Sequence, residues 1–246
     1  MSRLSAVRNV VSGVTCLSKG KKKPYELKTK KLVLKALGDD ELKRRRYEQM
    51  DFQRQRAYAD MLAGCESDAE SRLWYTAWEV TLRENGEYVG DIYFKGKPVN
   101  REAEIAYFLS DKFKDSEEAA NAVDELTGWG FANSDDLYFV SIWVDAQSDA
   151  FAKTLDDGYF SVVEETETMQ KFEMVRTETS WLATGMCLGA GVGLGLGLLF
   201  DNLALGFGIG FSVSVALGLL VDAGNRRKRE KILREHRGEK SEDDGD

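Results

Sequence analysis

The chain has 246 residues, of which 43% are apolar and 31% charged, a balance typical of globular proteins. The chain has one histidine, His236, in its charged tail, which argues against a zinc site and against a Ser-His-Asp triad. Its three cysteines are scattered and odd in number, which argues against a disulfide framework. The net charge of -8 hides an asymmetry, because residues 1–35 carry ten Lys and Arg against one Glu, whereas residues 101–175 carry five against eighteen Asp and Glu.

The first 24 residues predict a basic arm. Their apolar run, residues 10–17, is too short and too interrupted for a cleaved signal peptide. The basic start could meet nucleic acid or anionic lipid, and it could also contact the acidic body of the same protein. Because that body would repel both nucleic acid and lipid, we do not favour a nucleic-acid partner.

Residues 25–62 predict a strand and then one helix. The run YELKTKKLVLKAL, which begins at Tyr25, alternates as a strand does. The following segment, GDDELKRRRYEQMDFQRQRAYADML, spaces its apolar residues helically and has Asp39 or Asp40 as a candidate N-cap. We interpret the cluster of residues 44–46 as a solvated helix face rather than as a basic patch.

The middle of the chain mixes strands with helices. Two strand-like runs, LWYTAWEVTLRENG and YVGDIYFKGK, are joined by the turn signal Glu84-Asn85-Gly86, which predicts an antiparallel hairpin. EIAYFLSD is a further strand, and SEEAANAVDELTGWGF is a helix with Ser116 as N-cap. LYFVSIWVD predicts a strand, SDAFAKTLDD a short helix, and YFSVVEETETMQKFEMV one or two strands. This order predicts an α/β fold with a mixed sheet and helices on its faces.

Two apolar segments come next. Residues 181–200 and 203–221 contain no charge, and each spans about 30 Å as a helix, the thickness of a bilayer's hydrocarbon core. Only Asp201 and Asn202 separate them, which predicts a tight transmembrane hairpin. The basic run 226–229 follows, so the positive-inside rule places the α/β domain and both termini in the cytoplasm. A buried soluble hairpin and a flexible linker remain alternative interpretations.

Small residues recur every four positions in both apolar segments. They form one row in each segment: Gly185, Gly189, Gly193 and Gly197 in the first, and Gly206, Gly210, Ser214 and Gly218 in the second. Such a row lets two helices approach closely in lipid. The arrangement resembles a glycine zipper, and it predicts helix association and a homo-oligomer formed through the hairpin.

Residues 25–176 resemble the GNAT family of N-acetyltransferases, in the group that modifies ribosomal-protein N-termini or antibiotics. The residues EIAYFL, from Glu104 to Leu109, are similar to the family's E-I-G-Y-W-L strand, and YELKTKKLVLKAL is similar to its T-E-R-L-x-L-R opening strand. Val144-Asp145 begins the V-D-x-x-N-x-x-S segment. The resemblance implies a mostly antiparallel central sheet flanked by helices, with one strand diverging from its neighbour to admit acetyl-CoA.

The domains are therefore predicted as a basic arm (1–24), a GNAT-like domain (25–176), a glycine-zipper transmembrane hairpin (181–221) and a charged cytoplasmic tail (222–246).

The resemblance also implies where the cofactor would bind. In the family, the diphosphate lies on the N-terminus of the helix after the diverging strand, on a loop patterned R/Q-x-x-G-x-G/A. The positions aligned with the acetyl-CoA site are Phe108, Leu109, Ser110, Ser116, Glu117, Glu118, Ala119 and Ser148. The loop glycines, however, are replaced by Asp115 and Glu117, and the family's serine in the next helix by Phe151.

Electrostatics argues against a diphosphate at this loop. Two like charges about 5 Å apart repel by roughly 3 kcal/mol at an effective dielectric near 20. The positive end of a helix returns only about 0.3–1 kcal/mol per charge. We therefore expect the cofactor site to be degenerate, with acetyl-CoA as the cofactor if the protein is active and no cofactor otherwise.

Two residues are candidates for catalysis if acetyl transfer occurs. Glu104 would be the base that deprotonates the amine, and Tyr159 the acid that reprotonates the thiolate. The alternatives are a strand-edge carboxylate in a salt bridge for Glu104 and a core aromatic for Tyr159. The glycine of the family's L-G-F turn falls on Tyr159 without a gap and on Gly158 after a shift of one residue.

Three functional hypotheses remain open. The first is a membrane-anchored GNAT-like protein impaired in acetyl-CoA binding, which would act as a binding module. The second is an active, membrane-tethered N-acetyltransferase acting on an amine. In the third, the zipper hairpin is the working, oligomerising part, and the GNAT-like domain regulates it.

Overall fold

The computed structural model describes residues 25–177, 180–199, 201–236 and 238. The predicted basic arm, residues 1–24, lies outside the described residues. The chain divides between Arg176 and Thr177 into two compact units. The N-terminal unit carries the sheet, and the C-terminal unit is a pair of helices.

The N-terminal unit is built on one sheet of eight strands in the order β1-β2-β3-β4-β5-β6-β8-β7. All neighbouring strands are antiparallel except β5 and β6, which are parallel. The predicted mixed, mostly antiparallel sheet is thus confirmed. The strands are β1 (Glu26–Lys28), β2 (Leu32–Ala36), β3 (Trp78–Leu82), β4 (Tyr88–Phe94), β5 (Glu102–Leu109), β6 (Phe139–Asp145), β7 (Phe160–Glu165) and β8 (Met169–Val175).

Four helices accompany the sheet, and two apolar clusters result. The helices are α1 (Asp39–Glu48), α2 (Phe52–Ser67), α3 (Glu117–Asn133) and α4 (Asp149–Asp157). The larger cluster joins the strands to α3 and α4, with the Trp129 ring 4.9 Å from that of Trp74 and 5.2 Å from that of Trp78. The smaller cluster joins α1 and α2 to the sheet through Tyr58, Met61 and Tyr93, among others.

The first 40 described residues correct three predictions. The run from Tyr25 forms two strands rather than one, because Thr29 Oγ1 accepts hydrogen bonds from the N–H groups of Lys31 and Leu32 and closes a turn. The single predicted helix is broken between α1 and α2, where Asp51 accepts from Gln53 N–H and caps α2. Gly38, not an aspartate, is the N-cap of α1.

The remaining elements of this unit follow the sequence prediction. Gly86, in the predicted turn between β3 and β4, has a φ of 73°, which suits a glycine. Ser116 caps α3, since its Oγ accepts from Ala119 N–H at 3.2 Å. The final segment of the unit forms two strands, β7 and β8.

The C-terminal unit is a helical hairpin of α5 (Trp181–Leu199) and α6 (Leu203–His236). The predicted rows of small residues face each other within this hairpin. A Cβ atom added to Gly193 would lie 2.9 Å from the Gly206 carbonyl oxygen, and one added to Gly210 would lie 2.6 Å from Gly193 Cα. Such distances leave no room for a side chain, so the glycines are what lets the two backbones touch.

The two helices differ in length and in hydropathy. Among the described residues, α6 alone is long and apolar enough to cross a membrane, with a mean hydropathy of 2.1 in its apolar part. The apolar part of α5, Thr184–Leu199, is shorter. Helix α6 also continues through the basic run to His236, so the boundary predicted after residue 221 is not a helix end.

Asp222 of α6 caps the N-terminus of α5. Its carboxylate accepts from Trp181 N–H at 2.7 Å, from Leu182 N–H at 3.1 Å and from the Ser180 hydroxyl at 3.0 Å. A carboxylate is favoured at a helix N-terminus, where N–H groups lack partners inside the helix. This contact fixes the register of the hairpin at the end opposite to its turn.

Candidate functional site

The parallel strands β5 and β6 separate at one end. Their pairing runs from Glu102 with Phe139 to Ile105 with Ile142. Beyond these residues, β5 stays paired with β4 as far as Leu109, and β6 stays paired with β8 as far as Asp145. The sheet therefore opens between residues 106–109 and 143–145, and we call this opening the strand gap.

Two aromatic side chains occupy the strand gap. Tyr107 of β5 packs edge-on against Phe151 of α4, with ring centroids 5.4 Å apart. Phe151 is fully buried, and burial raises the pKa of Tyr107 to about 12. The Asp145 carboxylate, at the end of β6, adds to this rise. Tyr107 thus lies close to the ends of both separated strands.

A carboxylate crosses the same opening at the helix ends. Asp115, in the loop before α3, accepts a hydrogen bond from the backbone N–H of Phe151 at 2.8 Å. Phe151 lies in the first turn of α4, and Ser148, the N-cap of that helix, makes no capping bond with its side chain. Asp115 therefore supplies the missing cap of α4 and ties the α3 loop to α4. We call this contact the Asp115–Phe151 bridge.

The residues aligned with a cofactor site surround this opening, with one exception. Leu109 ends β5 and Ser110 follows it, Ser116 to Ala119 form the start of α3, and Ser148 precedes α4. Ser110 Oγ donates to the Val89 carbonyl at 3.1 Å. The exception is Phe108, whose ring lies on the α2 side of the sheet, 5.6 Å from the Tyr58 ring.

Glu104 and Tyr159, the two catalytic candidates, are not brought together. Glu104 is partly exposed on β5 and accepts from Lys95 Nζ at 2.5 Å. Tyr159 precedes β7, three strand spacings away from β5, or about 14 Å. Since Phe160 pairs with Met174 near the start of β6, Tyr159 also lies at the end of the sheet opposite the strand gap.

Tyr159 has an unusual backbone. Its φ is 77°, a left-handed conformation that is rare for a residue with a large side chain, whereas Gly158 has a φ of -88°. Of the two positions that could align with the glycine of the family's L-G-F turn, Tyr159 is therefore the one with a left-handed backbone, a conformation in which glycine would be unstrained. The side chain is 78% exposed, so it is not a core aromatic.

The sequence analysis missed a buried charged group on the α1 and α2 side of the sheet. Asp91 of β4 is fully buried and accepts from the Tyr58 hydroxyl at 2.5 Å. The Arg45 guanidinium lies 3.8 Å from the other carboxylate oxygen and also pairs with Glu79. Burial raises the pKa of the Asp91 carboxyl, and the nearby arginine opposes this shift. The lone acid within the apolar run YVGDIYF was the available signal.

No metal-binding cluster of three or more His, Cys, Asp or Glu side chains occurs in the described part of the chain.

Comparisons with known proteins find similarity only to solved structures, at low identity. No family model matches the sequence, and no curated protein matches it. An acetyltransferase from Agrobacterium tumefaciens is 16% identical, with 65% of this chain and 100% of that chain covered and a TM-score of 0.45. The ribosomal-protein-S5-alanine acetyltransferase from Vibrio fischeri is 11% identical, with 63% and 98% covered and a TM-score of 0.47.

A third solved structure contains the family's cofactor. RimL, a ribosomal-protein acetyltransferase in complex with coenzyme A, is 13% identical, with 60% of this chain and 95% of that chain covered and a TM-score of 0.43. The mostly antiparallel sheet and the strand that diverges from its neighbour, both implied by the GNAT resemblance, are present in the N-terminal unit.

Proposed function

We propose that this chain is a membrane-anchored protein whose GNAT-like unit does not bind acetyl-CoA and acts as a binding module. The observation that carries the proposal is the Asp115–Phe151 bridge. In it, the Asp115 carboxylate accepts a hydrogen bond from the Phe151 N–H at the open end of the strand gap. A cofactor entering between α3 and α4 would have to displace this bond and move the Phe151 and Tyr107 rings apart.

The charges around the bridge also support the proposal. Glu117 and Glu118 lie in the first turn of α3, and Ser116 already satisfies Ala119 N–H. A diphosphate at this helix end would meet the carboxylates at a repulsion of roughly 3 kcal/mol each for a separation of about 5 Å. The attraction between the positive helix end and the diphosphate would contribute only about 0.3–1 kcal/mol per charge. The balance therefore opposes a bound diphosphate.

The membrane part of the proposal rests on α6 and its neighbour. Helix α6 is apolar over its first 19 residues and then carries the basic run 226–229, which favours a cytoplasmic location for that end. Because a hairpin returns to its starting side, the GNAT-like unit and both termini would face the cytoplasm. Carbonate washing of membranes tests this, since a hairpin anchor stays with the lipid and a peripheral protein is released.

Acetyl-CoA titration of the full-length protein in detergent tests the central claim. We expect neither binding heat nor a change in the melting temperature of the GNAT-like unit. A ligand at 100 times its Kd would add about 2.7 kcal/mol of stability, which is a shift of several degrees. Such a shift would overturn the proposal and favour an active N-acetyltransferase that uses acetyl-CoA, with Glu104 as candidate base.

A double variant sharpens the titration. Asp115→Gly with Glu117→Gly restores the glycine spacing of the family loop and removes the bridge. If the carboxylates are what prevents binding, this variant gains acetyl-CoA affinity relative to the natural chain. Asp135→Gly with Asp136→Gly is a matched control, because it removes the same charge from the loop after α3.

Homo-oligomer formation through the hairpin stays a prediction. The zipper glycines contact the partner helix of the same chain. An oligomer would therefore use another face of α5 or α6, such as that of Gly191 on α5 or that of Gly208 on α6, where an added Cβ would meet nothing within 4 Å.

A further inference from the structure

A lateral groove runs along the hairpin near its cytoplasmic end. Its walls are Trp181 and Leu188 of α5 and Leu217 and Val221 of α6, and its floor includes Gly185 and Gly218. The wall side chains are large, apolar and 43–64% exposed. The groove has a volume of about 200 Å³, which suits several methylene groups rather than one water molecule.

The groove exists because the helices touch where they lack side chains. A Cβ added to Gly218 would lie 2.9 Å from Leu182 Cα, and one added to Gly185 would lie 2.8 Å from the Ser214 carbonyl oxygen. The backbones therefore meet at the floor while the bulky walls stand to either side. The result is a channel that opens sideways and ends next to the cap formed by Asp222.

Two basic residues lie on the same face of α6 as the groove, further toward the C-terminus. Lys228 follows Val221 by seven residues, and Arg229 follows Gly218 by eleven, which are close to two and three helical turns. Arg227 and Glu230 fall on the opposite side of the helix. In the described part of the chain no carboxylate forms an ion pair with Lys228 or Arg229, and the buried Nε of Arg229 has no hydrogen-bond acceptor there.

The distance between groove and charges matches a phospholipid. Seven residues of helix rise by about 10 Å, so Lys228 lies one headgroup layer beyond Val221 if Val221 is at the edge of the hydrocarbon. Long basic side chains also extend toward that layer. Asp222, the acid nearest the groove, accepts from three donors of residues 180–182 and keeps its negative charge, but the four basic residues 226–229 outnumber it, so the local charge is positive.

We propose that this groove binds one anionic diacyl phospholipid, with an acyl chain between the walls and the phosphate near Lys228 and Arg229. The inference rests on the membrane insertion proposed above. Charge complementarity selects this occupant over a zwitterionic lipid, because one basic residue near the membrane surface contributes roughly 1 kcal/mol toward an anionic headgroup, a factor of about five.

Photocrosslinking of the full-length protein in vesicles tests the proposal. The vesicles contain phosphatidylcholine with a minor fraction of phosphatidylglycerol, and a trace of either lipid carries a diazirine on one acyl chain. Mass spectrometry then locates the crosslinks. We expect phosphatidylglycerol to label residues 181–188 and 214–221 about five times more than phosphatidylcholine does.

Two pairs of variants separate the charge from the groove. Lys228→Gln should bring phosphatidylglycerol labelling of the groove down toward that of phosphatidylcholine, whereas Arg227→Gln, on the opposite side, should leave it unchanged. Val221→Trp fills the groove and should lower labelling by both lipids. Val213→Trp, also on α6 but outside the groove, should not.

Several results would overturn the proposal. Equal labelling by the two lipids, labelling spread evenly around both helices, or no effect of Lys228→Gln would each do so while leaving membrane insertion intact. If neither lipid labels either helix and carbonate releases the protein, then the membrane anchor itself is wrong. The two failures are thus distinguishable by whether any crosslink forms.

Discussion

The two units of the molecule bring their elements together by opposite means. In the N-terminal unit, side chains fill the space that diverging backbone leaves open, as Tyr107 and Phe151 do in the strand gap. In the hairpin, the absence of side chains at positions such as Gly193 and Gly206 lets the backbones touch. Removing atoms should therefore damage the first unit, and adding atoms should damage the second.

Phe151→Ala should have the largest effect on stability. Phe151 is fully buried between the strand gap and α3, so its truncation leaves a cavity and should lower the free energy of unfolding by about 3–5 kcal/mol. Phe52→Ala is the control, since Phe52 is 75% exposed and its loss should change stability by about 0.5 kcal/mol or less. Urea unfolding followed by tryptophan fluorescence measures both, and equal losses would mean that Phe151 does not fill the gap.

Gly206→Ala tests the opposite expectation in the hairpin. A Cβ at Gly206 would overlap the backbone of Gly197, so even one methyl group should force the helices apart and destabilise the hairpin by about 1–3 kcal/mol. Two residues further on, Gly208→Ala would meet nothing within 4 Å and should be neutral or stabilising by up to about 1 kcal/mol. SDS titration in detergent compares the pair, and a similar response of both variants would contradict close packing at Gly206.

The two units also differ in which of their contacts could be predicted from the sequence. The rows of glycine were visible in the sequence because their contacts repeat at a fixed spacing within short stretches. The mostly antiparallel sheet with one diverging strand followed from the family resemblance. The Asp115–Phe151 bridge joins residues 36 positions apart and has no local pattern, although the acidic loop itself was noticed.

The remaining differences between prediction and structure depend on particular side-chain and backbone contacts. Thr29 and Asp51 can each bond to nearby backbone N–H groups, and these bonds divided one predicted strand and one predicted helix. The left-handed backbone of Tyr159 could not be predicted from its residue type, because that conformation favours glycine. Likewise, the buried carboxylate of Asp91 depends on Tyr58 and Arg45, which two separate helices supply.

Tyr58→Phe should have a smaller effect than the first variant, and its effect should depend on pH. The change removes the hydroxyl that donates to the buried Asp91 carboxylate and should lower stability at neutral pH by about 1.5–3 kcal/mol, the range for hydrogen bonds to charged groups. Tyr47→Phe, at an 83% exposed position, is the control and should be near neutral.

The sign of the pH dependence follows from the pKa of Asp91. Burial raises this pKa and the bond from Tyr58 lowers it, so Asp91 in the variant has a higher pKa than in the natural chain. The stability difference between the two proteins is then largest above both values. It shrinks as the pH falls through the pKa of the variant toward that of the natural chain, because a protonated carboxyl depends less on a donor. A difference that stayed constant from neutral to acidic pH would show that Asp91 is already protonated in the folded protein at neutral pH, and a difference that grew would show that Tyr58 does not lower the pKa of Asp91.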